Sequence, residues 1–250
     1  MRNSLKFLTV LMLIPSLCFG AGSRDFDGAG DYVTVTRVQS ANTTVCAWFK
    51  LDDLGDINQI YSQDQTSGAT LRNFQFRVNI TDGLLQYINF VSNSVYSVSS
   101  PSAMSTGVWI FACGSYDGET LELYQSSLNA AITASIDTDT TPSGNQDQDS
   151  PTGVGIGCRL YNGSSNCLAG EEMDGRISSV MHHSRALSIW EINEQMIKPG
   201  MIVNSLIAYY PLFGDTTEKD LSINQNSGAA TGSIASTDGP PVMFGGGLPL

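Results

Sequence analysis

Twelve short stretches of alternating apolar and polar residues, each bounded by Gly, Asp, Asn or Ser, constrain this chain more than any other feature: DYVTVTRV, TVCAWFKL, QIYSQD, NFQFRVNI, LLQYINFV, VYSVSS, GVWIFACGSYD, LELYQSS, AAITASI, GVGIGC, GRISSVMHH and SLIAYYPL. Apolar residues at every second position form one buried face only on a strand, and turn residues at this spacing return strand upon strand. The expected fold is all-β, an antiparallel two-sheet jelly-roll sandwich. One segment breaks the rhythm. In LSIWEINEQM, residues 187–196, apolar residues recur at helical spacing behind Ser188, and Glu191 stands three positions on, so a short capped helix is expected in the C-terminal third.

The N-terminus, MRNSLKFLTVLMLIPSLCFGAG, has a cationic start at Arg2 and Lys6, an apolar run over residues 7–14, a break at Pro15 and small residues before Ala21. This is the layout of a secretory signal cut after Gly20, with an apolar run too short to span a membrane. Leu17 before Cys18 is too large for a lipoprotein cut. Removal of the signal leaves ten basic against 24 acidic residues, a net charge of −14. Such a chain is repelled by nucleic acid and by anionic membrane surfaces. Four of the five cysteines remain: Cys46, Cys113, Cys158 and Cys167. An even number in an exported protein implies two disulfides, with three pairings open. Alternation places Cys46 with Trp48, and Cys113 with Trp109 and Phe111, on core-directed faces.

The series RDFDGAGDYVTV, TTVCAWFKLDD, VWIFACGSYDGETLELYQSS and MDGRISSVMHHSRALSIWEI, in order over residues 24–196, resembles the laminin G-like and pentraxin-like branch of the concanavalin A-type lectin fold. The resemblance implies that Cys46 pairs with Cys113, which leaves Cys158 for Cys167. With the signal read from the N-terminus, the chain divides into a signal peptide (1–20), a laminin G-like jelly-roll domain (21–200) and a segment 201–250. In that last segment SLIAYYPLFGD follows the helix instead of preceding the first strand, so a permuted strand is expected to complete the same sandwich ahead of a Gly/Pro-rich tail. AYYPL is too apolar to stand in water alone.

Glucanases share this fold and need two carboxylates on one surface. In EMDGRI, Glu172 and Asp174 are present, but Ile177 stands where the further glutamate of the glucanase motif belongs, so no catalytic residue is assigned. His182 and His183 are neighbours on a strand and face opposite ways. No cofactor is required, and calcium is the one the residues offer oxygens for. Pentraxins hold it through residues that this chain replaces with Leu71 and Arg72 and with Cys158, Arg159 and Leu160. The remaining metal candidates are Asp25, Asp27 and Asp31, and Asp147 and Asp149 in NQDQDS. For sugar contacts, an aromatic ring beside amides and acids is wanted. Trp48, Trp109 and Trp190 match core positions of the family, which leaves Tyr161 with Asn162, and Tyr61 with Gln63 and Asp64. Asn42, Asn79 and Asn162 head N-x-Ser/Thr sequons. The sequence therefore reads as a secreted or periplasmic, non-catalytic, lectin-like protein. Its partner is a glycan or another cell-surface ligand, with no nucleic acid partner and no membrane insertion after signal cleavage, and homo-oligomers are compatible with it. The alternative is a structural or adhesive subunit of an extracellular or virion-like assembly.

Overall fold

The computed structural model describes residues 22–64, 72–127, 130–147, 154–160, 167–232 and 236–240; the expected signal sequence and the end of the tail lie outside them. In chain order the strands are β1 (Gly22–Asp27), β2 (Tyr32–Thr34), β3 (Thr43–Leu51), β4 (Asn58–Asp64), β5 (Arg72–Val78), β6 (Leu85–Val91), β7 (Ser94–Ser99), β8 (Ile110–Tyr116) and β9 (Leu121–Ser127). They continue with β10 (Asp137–Asp139), β11 (Gly155–Ile156), β12 (Cys158–Leu160), β13 (Cys167–Glu172) and β14 (Asp174–His183). Helix α1 (Ile189–Ile197) follows, then β15 (Leu206–Tyr210), β16 (Thr217–Glu218), β17 (Gly228–Thr231) and β18 (Ser236–Asp238).

Two antiparallel sheets form the sandwich expected from the alternation. The first runs β10-β9-β8-β3-β14-β1-β18, with β15 also paired to β14; the second runs β16-β17-β2-β11-β4-β5-β6-β7. A register shift in β14 between Ser178 and Met181 lets its first half pair with β1 and its second half with β15 along the same side. The C-terminal strands thus add to both sheets. The contact is reinforced inside: buried Arg24 on β1 meets buried Glu218 on β16, Nε to Oε1 at 3.1 Å.

Alternation along β3 sorts its side chains between two apolar layers. Val45, Ala47, Phe49 and Leu51 face the second sheet, whereas Cys46 and Trp48 face the back of the first sheet with Phe111 and Cys113. That second layer is roofed by Ile192 and Met196 of α1. Cys46 and Cys113 sit directly opposite each other in the β3–β8 register, Cα atoms 4.1 Å apart, and form a disulfide. Their face is buried, but under the helix and not between the sheets. The second disulfide joins Cys158 to Cys167 within the β12–β13 hairpin.

The helix starts as its sequence predicts. Ser188 caps it, its backbone N–H donating to Glu191 Oε2 at 2.9 Å while its hydroxyl accepts from the Glu191 N–H. Trp190 departs from expectation. It is 66% exposed, because the face of α1 that meets the sheet is Ile192, Asn193, Gln195 and Met196, and Trp190 lies on the other side. Trp48 is buried as expected, with its indole N–H donating to the Met196 carbonyl at 3.1 Å.

The two histidines of β14 point to opposite layers. His182 packs edge-on to Phe74 and Tyr61 with Nε2 2.7 Å from Thr43 Oγ1, and His183 meets Gln195 of the helix at 3.0 Å. Burial keeps both neutral, lowering His182 from 6.5 to about 3 and His183 to about 4. Below pH 6.5 the unfolded chain therefore binds protons that the folded chain refuses, and stability falls with pH down to those folded values. Each histidine contributes about 1.4 kcal/mol per pH unit within that window. We expect the urea midpoint to drop between pH 7 and pH 5, and His183→Gln to flatten that slope; an unchanged slope in the variant would show that His183 is not held neutral.

Candidate functional site

Polar groups gather in two places. The first is the end of the sandwich where the β8–β9 turn, Asn42 and residues 143–145 converge around an open cleft of about 450 Å³. Its side chains are Asn42, Asp117, Glu119, Ser143 and Asn145, with backbone at Gly118 and Gly144. The local sequence builds its walls. Asp117 Oδ1 accepts the N–H groups of Glu119 at 2.9 Å and Thr120 at 2.7 Å, and Gly118 supplies the φ of 105° that closes the turn. Gly144 N–H donates to the Gly118 carbonyl at 2.9 Å, and the Tyr116 hydroxyl donates to the Gly144 carbonyl at 2.6 Å. Behind the cleft, Gln146 anchors the loop through its N–H to the Ala41 carbonyl and its side-chain amide to the Asn73 carbonyl, both at 3.0 Å. The lining offers amides, a hydroxyl and carboxylates, the groups that fix sugar hydroxyls, on a backbone already braced.

The second place is the outer face of the second sheet. The β4–β5–β6 register sets Ser62 against Gln75, Gln75 against Ile88, and Arg77 against Gln86, all turned away from the core. The β12–β13 hairpin overlies part of this face and brings Arg159 to Asp64 at 2.8 Å and to Glu171 at 3.2 Å. The Gln75 side-chain amide also donates to Asp64. Arg72 lies over the Phe90 ring, 5.3 Å from its centroid. Arg77 is half-buried, and burial draws its guanidinium below the usual range, with Glu171 opposing.

Several residues singled out from sequence are placed otherwise than expected. Tyr61 is not a loop aromatic: it lies on β4, fully buried against Phe74 and His182, and its hydroxyl accepts from Gln63 at 3.0 Å. A sugar cannot stack on it. Asp64, at the end of the same strand, is 1% exposed and engaged by Arg159. The reason is tertiary, since the polar strand QIYSQD reads as exposed until a hairpin covers it. Tyr161 and Asn162, and Asp149, lie outside the described residues.

The aspartates of the N-terminal stretch do not fit calcium. Asp25 pairs with Arg176 at 3.3 Å, Asp27 accepts the Ala29 N–H at 2.9 Å, and Asp31 is buried, 4% exposed. Asp147 accepts the Asn93 N–H at 2.9 Å. Among the described residues no three His, Cys, Asp or Glu side chains are grouped to hold a metal ion. In EMDGRI, Ile177 is fully buried in the main core. Burial raises the carboxyls of both Glu172 and Asp174, with nearby aspartates adding to it. Sequence reasoning passed over Asp117, Glu119, Ser143 and Asn145. The Asp-Gly turn in GSYDGET was the available signal, but nothing local shows that residues 143–145 fold back against it.

A laminin G family profile, described as the concanavalin A-like lectin/glucanases superfamily, matches residues 27–193. No curated protein sequence matches the chain. Among solved structures, it is similar to a candidate carbohydrate binding protein from Bacteroides ovatus, with 18% identity and a TM-score of 0.65 over 88% of this chain and 60% of that one. The chain thus spans less than two thirds of that protein's length. It is also similar to a heptameric SAP-like pentraxin from Limulus polyphemus, with 15% identity and a TM-score of 0.59 over 90% of this chain and 98% of that one. At these identities the likeness is one of fold.

Proposed function

The chain belongs to the concanavalin A-like lectin/glucanase superfamily, whose profile spans residues 27–193, and from that premise we propose that it is an exported, non-catalytic glycan-binding protein. The observation that carries the reading is the braced loop-end cleft, lined by the Asn42 amide, the Glu119 carboxylate and the Ser143 hydroxyl. Convergent polar groups on a rigid scaffold select a polyhydroxylated ligand. Export is supported by the signal-like N-terminus and by two disulfides, which persist in oxidising compartments. The non-catalytic reading rests on Ile177, a buried side chain at the position where the glucanase motif needs an acid.

A glycan array probed with the mature chain tests this. Defined hits are expected, unchanged by a calcium chelator, and reduced about tenfold or more in affinity by Asn42→Ala together with Glu119→Gln, in line with lost hydrogen bonds to a bound ligand. Hits that vanish on chelation would return calcium to the site. Silence across the array, with oligomers in light scattering, would favour the assembly reading, which draws on the exposed Trp190, Met201 and Val203.

A further inference from the structure

We propose that the outer face of the second sheet carries a separate subsite for a singly charged acidic sugar, in which the guanidinium of Arg77 receives the carboxylate or sulfate. The ligand class rests on the glycan-binding reading above; the site does not overlap the loop-end cleft. Among the described residues, Arg24, Arg159, Arg176 and Arg185 each form a salt bridge with a carboxylate. Arg77 forms none. Its Nε donates to Gln86 Oε1 at 3.3 Å, and its two terminal nitrogens, the fork that matches a carboxylate or sulfate two bonds at a time, have no hydrogen-bond partner among the described residues.

A half-buried cation without a salt-bridge partner gains from an incoming anion. Glu171 and Asp64, the carboxylates that act most strongly on it, are already engaged by Arg159, and Asp82 acts more weakly from the exposed turn before β6. The neighbours on the same face are also left wanting. Ser62 Oγ, 1% exposed as a residue, and Arg159 Nε are buried donors with no partner, and Gln75 Oε1 is a buried acceptor with none. These three atoms are covered, so contact with the ligand falls to Arg77, whose side chain stays partly exposed.

The charge of the chain narrows the ligand further. At −14 after signal removal, a polyanion is repelled as a whole, whereas one terminal acid gains locally from Arg77. The match is to a chain-end uronic acid or sulfated sugar, not to a densely charged polymer.

Titration calorimetry of three trisaccharides of one linkage, ending in galacturonate, galactose 6-sulfate or galactose, tests the site in the full mature chain. The wild type should bind one or both acidic probes at least tenfold more tightly than the neutral one; galacturonate alone assigns the carboxylate, both assign the shared anion. Arg77→Gln should abolish that preference while leaving neutral binding intact, and Arg77→Lys, which keeps the charge but not the fork, should fall between. The melting temperature of Arg77→Gln should stay level or rise, because no salt bridge is lost with the half-buried charge; a merely structural arginine would lower it. Because the two sites do not overlap, Glu119→Gln should weaken the neutral probe and leave the added affinity of the acidic probes in place. Equal binding of acidic and neutral probes by the wild type, or a preference that survives Arg77→Gln, overturns the subsite and leaves the glycan reading standing. Failure of the protein to bind any glycan removes both.

Discussion

Replacing Glu218 with alanine should lower stability by about 3–5 kcal/mol, the cost of leaving one member of a buried ion pair alone. Arg24 and Glu218 have side chains 0% and 2% exposed, and the pair is stitched further into the backbone. Arg24 Nη2 donates to the Asp215 carbonyl at 2.8 Å, while the Glu218 carboxylate accepts the N–H groups of Phe213 at 3.2 Å and Gly214 at 3.0 Å. Without the carboxylate, a guanidinium stays buried between β1 and the C-terminal segment with one carbonyl for company. Burial pushes the Glu218 carboxyl up while Arg24 opposes it, so the acid needs its partner as much as the partner needs it. The double variant Arg24→Met, Glu218→Met removes both charges and should recover most of the loss, since a well-packed apolar pair often matches a buried ion pair. Urea denaturation of the two variants provides the check. If Glu218→Ala unfolds at the wild-type midpoint, the segment after α1 does not bear on the stability of the sandwich.

The second large effect is expected from the Cys46–Cys113 disulfide. It closes a separation of 67 residues, and the double variant Cys46→Ala, Cys113→Ala should lose about 4 kcal/mol in the chain-entropy picture. The same change at Cys158 and Cys167, separated by 9 residues, should cost about 2.6 kcal/mol. Cys46 and Cys113 are fully buried in the layer beneath α1, so their removal also opens space against Trp48 and Phe111 and adds to the difference. Thiol reagents should therefore reach Cys158–Cys167, whose Cys167 is partly exposed, well before Cys46–Cys113 in the folded protein. Paired urea melts of the two double variants measure the gap, and a larger loss from the hairpin disulfide would reverse the ranking.

Individual residues show how far the sequence could be read. The capping box of Ser188 and Glu191 was legible because it is local: four residues and their own backbone settle it. The opposite orientations of His182 and His183 were legible for the same reason, since alternation is a property of one strand. Trp190 was misplaced because a family match fixes a position in the chain, not the angle at which a helix settles on its sheet. Tyr61 and Asp64 were misplaced because their flanks are polar, and polarity in a strand signals exposure unless another element covers it. Here that element is a hairpin nearly a hundred residues further on, and Arg159 from it turns Asp64 into an interior residue.

The all-β class and the capped helix follow from spacing along the backbone, and the four cysteines fit for bridges from their even number. Which faces became core, the second apolar layer that the helix makes over Cys46 and Cys113, and the cleft shared by Asn42, Glu119 and Ser143 appear only once the sheets are packed. It is likewise only in the packed sheets that, among the described residues, Arg159 holds Asp64 and Glu171 while Arg77 on the same face forms no salt bridge. The physical reason is range. Alternation and capping act over a few residues, while burial and charge pairing depend on which distant strand is folded against a side chain, and that partner is written in no single stretch of the chain.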